Sequence, residues 1–222
     1  MLCCSSYIPR KVGGLWWKNK RVWYHLHSMK KQSGKKLKVG VIVGSTRQGR
    51  FGEQPARWIY GEANKRVGIE AELLDLRDYP LPFFDQSSSP FMGGTDYKNP
   101  AVKKWAEKIK EKDAFIICSP EYNHGYPAVL KNALDYAYAE WNNKPVGFVS
   151  WGGVGGARVV EQLRLVAIEL QMAPIRNAVH IQNFWGLLDK SGKLKTDTLT
   201  ESADEMLAQL AWWGNALKVA RK

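Results

Sequence analysis

Cysteine is scarce: there are three in 222 residues, and two of them, Cys3 and Cys4, are neighbours near the amino terminus. That is too few for a disulfide framework, so the chain must be held by a packed core, and a reducing, cytoplasmic setting is expected. Long apolar runs are missing as well. Every run is cut by a charge, Gly or Pro before it reaches the roughly 18 residues that a membrane span needs, so no transmembrane segment is expected. No set of His, Cys or carboxylate residues has metal-ligand spacing, Glu121 and His124 alone being too few, and no solenoid repeat recurs. The third cysteine, Cys118, lies in an apolar run and reads as core.

Acidic residues are absent from positions 1–36, which hold nine of the 33 Lys and Arg. The formal net charge of +12 therefore falls to +3 over residues 37–222, and the expected nucleic-acid partner of a strongly basic chain is not expected of that domain. The arm contains Trp16, Trp17 and Trp23 but no uninterrupted signal-peptide core. Organelle targeting, a membrane-surface segment, a nucleic-acid arm, and a disordered or non-native extension upstream of Met29 all fit it. The last is the working reading, with one domain spanning 37–222.

From Leu37 onward, short β-rich runs alternate with amphipathic stretches. Strands are expected at 37–43, 69–76, 114–119, 144–151 and 174–182, with helices at 53–67, 100–112, 128–141, 157–172 and 201–219. Pro100 behind Asn99 and Pro127 ahead of Ala128 mark helix starts. Five βα units in series predict an α/β doubly wound five-stranded parallel sheet with helices on both faces. Ligands in that architecture bind at the carboxyl ends of the strands, where three loops have unusual sequences.

The first loop, GSTRQGR (Gly44–Arg50), leads from a buried strand into a helix start. Its backbone N–H groups, the hydroxyls of Ser45 and Thr46, and the cations Arg47 and Arg50 suit a phosphate. The spacing of Gly44 and Gly49 imitates a P-loop, but Arg50 stands at the lysine position and Phe51 at the magnesium-binding hydroxyl. The loop also lacks G-x-G-x-x-G. A terminal monophosphate held without metal is what these residues favour. The second loop, SPEYNHGYP (Ser119–Pro127), and the third, SWGGVGG (Ser150–Gly156), offer backbone groups, tyrosines and four glycines that allow close approach to a flat ligand.

Together GSTRQGR, PEYNHGYPAVLKNALDY and SWGGVGGAR resemble the NADPH-dependent FMN reductase family, with its quinone, azo-dye and chromate reductases, over roughly residues 37–180. The resemblance implies a flavodoxin-like strand order 2-1-3-4-5, bound FMN, NADPH or NADH as hydride donor, and a homodimer or dimer of dimers. It implies electron transfer to a small-molecule acceptor such as a quinone, an azo compound, a metal oxyanion or free flavin. Carried over by position, Ser45, Arg47 and Arg50 would hold the FMN phosphate. Pro120, Glu121, Tyr122 and Asn123 would line the isoalloxazine, chiefly through backbone groups, and Ser150, Trp151, Gly152 and Gly153 would close its other side. Several relatives carry Ser where Arg50 stands and Asn where Gly52 stands. No catalytic side chain is expected, since the chemistry belongs to flavin N5; His124 reads as a rim residue and Tyr136 as a subunit-interface candidate. A flavodoxin-like electron carrier and a flavin redox-sensing interaction protein are the alternative readings.

Overall fold

The structure, a computed structural model, describes residues 36–92 and 97–221. The expectations for the arm, apart from Lys36, lie outside these residues. The elements in chain order are β1 (Leu37–Val43), α1 (Glu53–Lys65), β2 (Ile69–Asp75), α2 (Pro100–Lys110), β3 (Ala114–Pro120), α3 (Ala128–Asp135), β4 (Pro145–Gly152), α4 (Ala157–Glu169), β5 (Ala173–Pro174), β6 (Val179–Gln182) and α5 (Thr200–Ala220). The sheet runs β2-β1-β3-β4-β5, and β6 also pairs with β4; every pairing is parallel.

β1, β3 and β4 supply the apolar middle of the sheet, and every residue of β3 is buried, as continuous runs such as AFIICSP demand when helices cover both faces. One face packs Val39, Val41 and Val149 against Ile59 of α1 and Met206 and Leu210 of α5. The other packs Phe115, Ile117 and Phe148 against Trp105 of α2, Leu134 of α3 and Leu163 of α4. Cys118 is fully buried, and desolvation alone pushes its thiol pKa far up, so it is core.

Two segments differ from the pattern read in the sequence. The fifth strand is two short pieces, β5 and β6, giving six strands in place of five. Between them the chain leaves the ladder, and Arg164 Nη2 takes the carbonyls of Ile175 at 3.2 Å and Arg176 at 2.8 Å, while Gln209 accepts the Asn177 N–H at 2.8 Å. α3 stops at Asp135, short of the expected 141. Indole N–H groups occupy its last carbonyls: Trp105 Nε1 donates to Ala133 O at 2.7 Å and Trp141 Nε1 to Leu134 O at 3.2 Å. Tyr136 is buried behind the loop between β2 and α2, its hydroxyl donating to Phe83 O at 3.2 Å, so its side chain is not on the surface where a subunit contact was expected.

Candidate functional site

The carboxyl ends of β1, β3 and β4 lie side by side, which brings the three unusual loops to one edge. In the first, Ser45 is buried and its Oγ lies 2.9 Å from the Tyr122 hydroxyl, while Arg47 N–H donates to it at 3.4 Å. The Arg47 side chain is exposed, with no ion-pair partner among the described residues. The amides of Thr46 and Gln48 likewise make no hydrogen bond among the described residues. α1 begins at Glu53 without a side-chain cap, so its first N–H groups also face this loop.

Arg50 is placed differently from the other loop cation. Its side chain is only 2% exposed. Nη1 donates to Ser45 O and, at 2.9 Å, to Asp75 Oδ1; Nη2 donates to Asp75 Oδ2 and, at 3.2 Å, to Glu53 Oε1. Both terminal nitrogens are thus engaged with protein oxygens, and Nε–H is buried without a partner. Burial disfavours ionised Asp75, but the Arg50 hydrogen bond, the Arg77 N–H and the Arg50 charge outweigh it and hold the carboxyl below its ordinary range.

The second loop closes as a two-residue reversal in which Tyr122 and Gly125 exchange both backbone hydrogen bonds at 2.9 Å. Its central residues, Asn123 (φ 49°) and His124 (φ 69°), both occupy the left-handed region, where a non-glycine residue costs on the order of 1 kcal/mol. The turn is held from outside. Gln162 Nε2 donates to His124 O at 2.8 Å, and Arg158 Nη1 donates to His124 Nε2 at 2.7 Å, which makes that ring nitrogen an acceptor.

Glu121 N–H donates to Trp151 O at 2.9 Å, stitching the second loop to the third. Its carboxylate, 3% exposed, accepts from Arg158 Nε at 2.6 Å and Arg158 N at 3.2 Å, at the first turn of α4. Burial opposes ionisation of Glu121, yet Arg158 and the amides of Val159 and Arg158 hold its carboxyl below the usual range. The Glu121 side chain is therefore a helix anchor, and with its N–H given to Trp151 O only its carbonyl remains for a ligand.

In the third loop Ser150 is buried, donating to Gly155 O at 2.8 Å, and its Oγ lies 3.0 Å from His180 Nδ1. With the Ser150 proton committed to Gly155, His180 supplies the donor to Oγ. Gly155 (φ +70°) and Gly156 (φ +73°) fold the loop onto these groups, and a Cβ on Gly156 would meet Ser150 Cβ at 2.7 Å. The Trp151 ring turns away into the core, edge-on to Phe51 at 5.7 Å. Gly153 is exposed and open, while a Cβ on Gly152 would approach Glu121 Cβ at 3.0 Å.

The loops thus gather Ser45, Arg47, Pro120, Tyr122, Asn123, Gly152 and Gly153 at one edge, while the side chains of Arg50, Glu121, Ser150 and Trp151 point into the scaffold. Asp75, Arg77, Arg158 and His180 escape the sequence reading. An acidic residue closing β2 is the one signal that marks Asp75; nothing local marks the others. No cluster of three or more metal-ligating side chains occurs among the described residues.

One end of this edge offers a hydroxyl, an exposed guanidinium and amides unpaired among the described residues, and the other a wall of backbone and glycine. A guanidinium beside such amides suits an oxyanion and the wall suits a planar ring, which on this fold is the arrangement a flavodoxin-like protein of the flavin mononucleotide class would use. The profile of the NADPH-dependent FMN reductase family matches residues 37–186, and the chain belongs to that family. It is 43% identical over 145 residues to an NAD(P)H-dependent FMN reductase of Schizosaccharomyces pombe, covering 64% of this chain and 72% of the relative. A probable NADPH:quinone oxidoreductase of Oryza sativa is 33% identical, with 61% and 69% covered. Among solved structures, the flavoenzyme NAD(P)H:(acceptor) oxidoreductase FerB of Paracoccus denitrificans shares the fold at TM-score 0.65 and 21% identity, over 81% of this chain and 98% of FerB.

Proposed function

We propose that the protein is an NAD(P)H-dependent FMN reductase that passes electrons to quinones or similar small acceptors. The observation that carries this is the joining of a metal-free phosphate loop to a backbone-lined wall on one sheet edge, bridged by the Tyr122 and Ser45 hydroxyls at 2.9 Å. The printed activities of the fungal and plant relatives support the donor and the acceptor class.

Ser45, Arg47 and the amides of Thr46 and Gln48 would hold the phosphate, with Arg50 fixing the loop from behind through Ser45 O. Backbone groups of Pro120, Glu121, Tyr122 and Asn123 would hold one side of the ring, with Gly152 and Gly153, and the backbone of Ser150 and Trp151, on the other. FMN, when bound, accepts a hydride from NAD(P)H and returns electrons to the acceptor. The protein's part is to orient: the hydrogen-bonded turn at Tyr122–Gly125 and the Ser150–His180–Gly155 contacts fix the backbone donors before any ligand arrives, so little reorganisation is needed. Donor and acceptor that share one open face must alternate, giving ping-pong kinetics.

Exposed Phe83, Phe91 and Met92, packed outside Tyr136 and Tyr138, support a homodimer through this face. A cytoplasmic setting for residues 37–222, the FMN-binding domain, belongs to the same proposal and is supported by the sparse cysteines. Replacing Arg47 by Ala removes a charge-assisted contact worth roughly 1.5–3 kcal/mol, so the FMN dissociation constant should rise at least tenfold. Unchanged FMN affinity, measured by flavin fluorescence, would remove Arg47 from the site.

A further inference from the structure

Two carbonyls of the phosphate loop are held from behind by arginines. Arg50 Nη1 donates to Ser45 O, and Arg77 Nη2 donates to Arg47 O at 3.0 Å. Each arginine is anchored in turn. Arg50 is paired with Asp75 at the end of β2 and with Glu53 at the start of α1; Arg77 Nη1 reaches the same Glu53 oxygen at 2.7 Å. The peptide bonds are trans, so each C=O points opposite to the N–H that follows it. With Ser45 C=O drawn toward Arg50, Thr46 N–H faces away from it. With Arg47 C=O drawn toward Arg77, Gln48 N–H does the same. Both amides lack a partner among the described residues, as do those of Ser45, Gly49 and Arg50, but only these two share a peptide with an arginine-held carbonyl.

We propose that Asp75, Arg50, Glu53 and Arg77 form a brace that turns the Thr46 and Gln48 amides toward a phosphate monoester, with Asp75 and Arg77 acting as positioning residues for phosphate recognition. The inference rests on the FMN reading and adds to it a second shell of charge. Two carboxylates near a phosphate would repel it if they stood alone. Here their charge is matched by two arginines, and what remains of the arrangement is its geometry, with each arginine holding one loop carbonyl. Arg47 stays outside the network and keeps its charge for the ligand. The brace also explains how a loop with a glycine at φ +60° (Gly49) and open space around it keeps one shape.

The test compares FMN with riboflavin, which differs only by the phosphate. Binding of both is measured by flavin fluorescence for the wild type and for Arg77→Ala, Arg77→Gln and Asp75→Asn. The brace predicts that Arg77→Ala and Asp75→Asn weaken FMN by roughly tenfold each and leave riboflavin nearly unchanged. Arg77→Gln, which keeps an N–H for Arg47 O without the charge, should restore most of the loss. Equal weakening of both flavins would reduce the network to a purely structural role and overturn the proposal, as would unchanged affinity for FMN. A Gln variant as weak as the Ala variant would assign Arg77 to direct charge attraction instead, which also overturns it. Should the wild type bind neither flavin, the FMN reading falls, and the brace is judged with phenyl phosphate. Line broadening of its 31P resonance by the wild type, lost in Arg77→Ala, supports the brace; broadening that persists in Arg77→Ala, or is absent from the wild type, overturns it.

Discussion

A Cβ added to Gly52 would lie 2.8 Å from Cζ2 of Trp151, a separation that real contacts do not reach. Gly52 has an ordinary helical φ of −58°, so what requires glycine there is the indole, not the backbone. The Trp151 ring fills that space and ties the third loop to the first. Gly52→Ala should cost about 1–3 kcal/mol in stability through overpacking, read as a lower unfolding midpoint, and should shift the Trp151 fluorescence. An unaltered midpoint would show that the ring moves freely. The sequence offers Ser45, Arg47 and the glycines as candidate site material because their chemistry is local. It could not display that Arg50, Glu121 and Ser150 spend their side chains inside the scaffold, since their partners Asp75, Arg158 and His180 lie 25, 37 and 30 residues away.

At the level of elements, buried strands and amphipathic helices were legible because period and apolar content report burial directly. What was not legible came from distant side chains competing for backbone groups: Trp105 and Trp141 ending α3, and Arg164 drawing the chain out between β5 and β6. The turn at Asn123–His124 belongs to the same class. Two non-glycine residues in the left-handed region are a local strain that Arg158 and Gln162 offset. His124→Gly supplies the residue such a turn prefers and keeps the backbone bond from Gln162. Because the Arg158 hydrogen bond to the imidazole is lost as the strain is relieved, stability should stay within about 1 kcal/mol of the wild type, measured by denaturant unfolding, while NAD(P)H oxidation persists. Loss of turnover with the flavin still bound would instead make the imidazole a catalytic group.

For the whole molecule, the carboxylates that hold the site together set its acid limit. Asp75 and Glu121 are both held below their ordinary values of 3.8 and 4.5, so folding keeps them ionised more readily than unfolding does. The native state therefore binds fewer protons than the unfolded chain in that region, and this stability is present above the ordinary carboxylate range and lost as pH falls below it through the depressed native values. Stability should decline as the pH falls below the ordinary carboxylate range, with FMN retention weakening alongside it, and Asp75→Asn should flatten the pH dependence. A flat profile in the wild type would contradict the assigned pairs. Of the formal net charge of +12, residues 1–36 carry +9 and residues 37–222 carry +3. The central claim, that this edge holds FMN and takes hydride from NAD(P)H, is tested most directly by absorption under anaerobic conditions. Purified protein given FMN should retain it in a one-to-one complex with a flavin spectrum, and NADPH or NADH should bleach that spectrum. Protein that stays colourless after incubation with FMN, or a bound flavin that neither nucleotide reduces, would contradict the account.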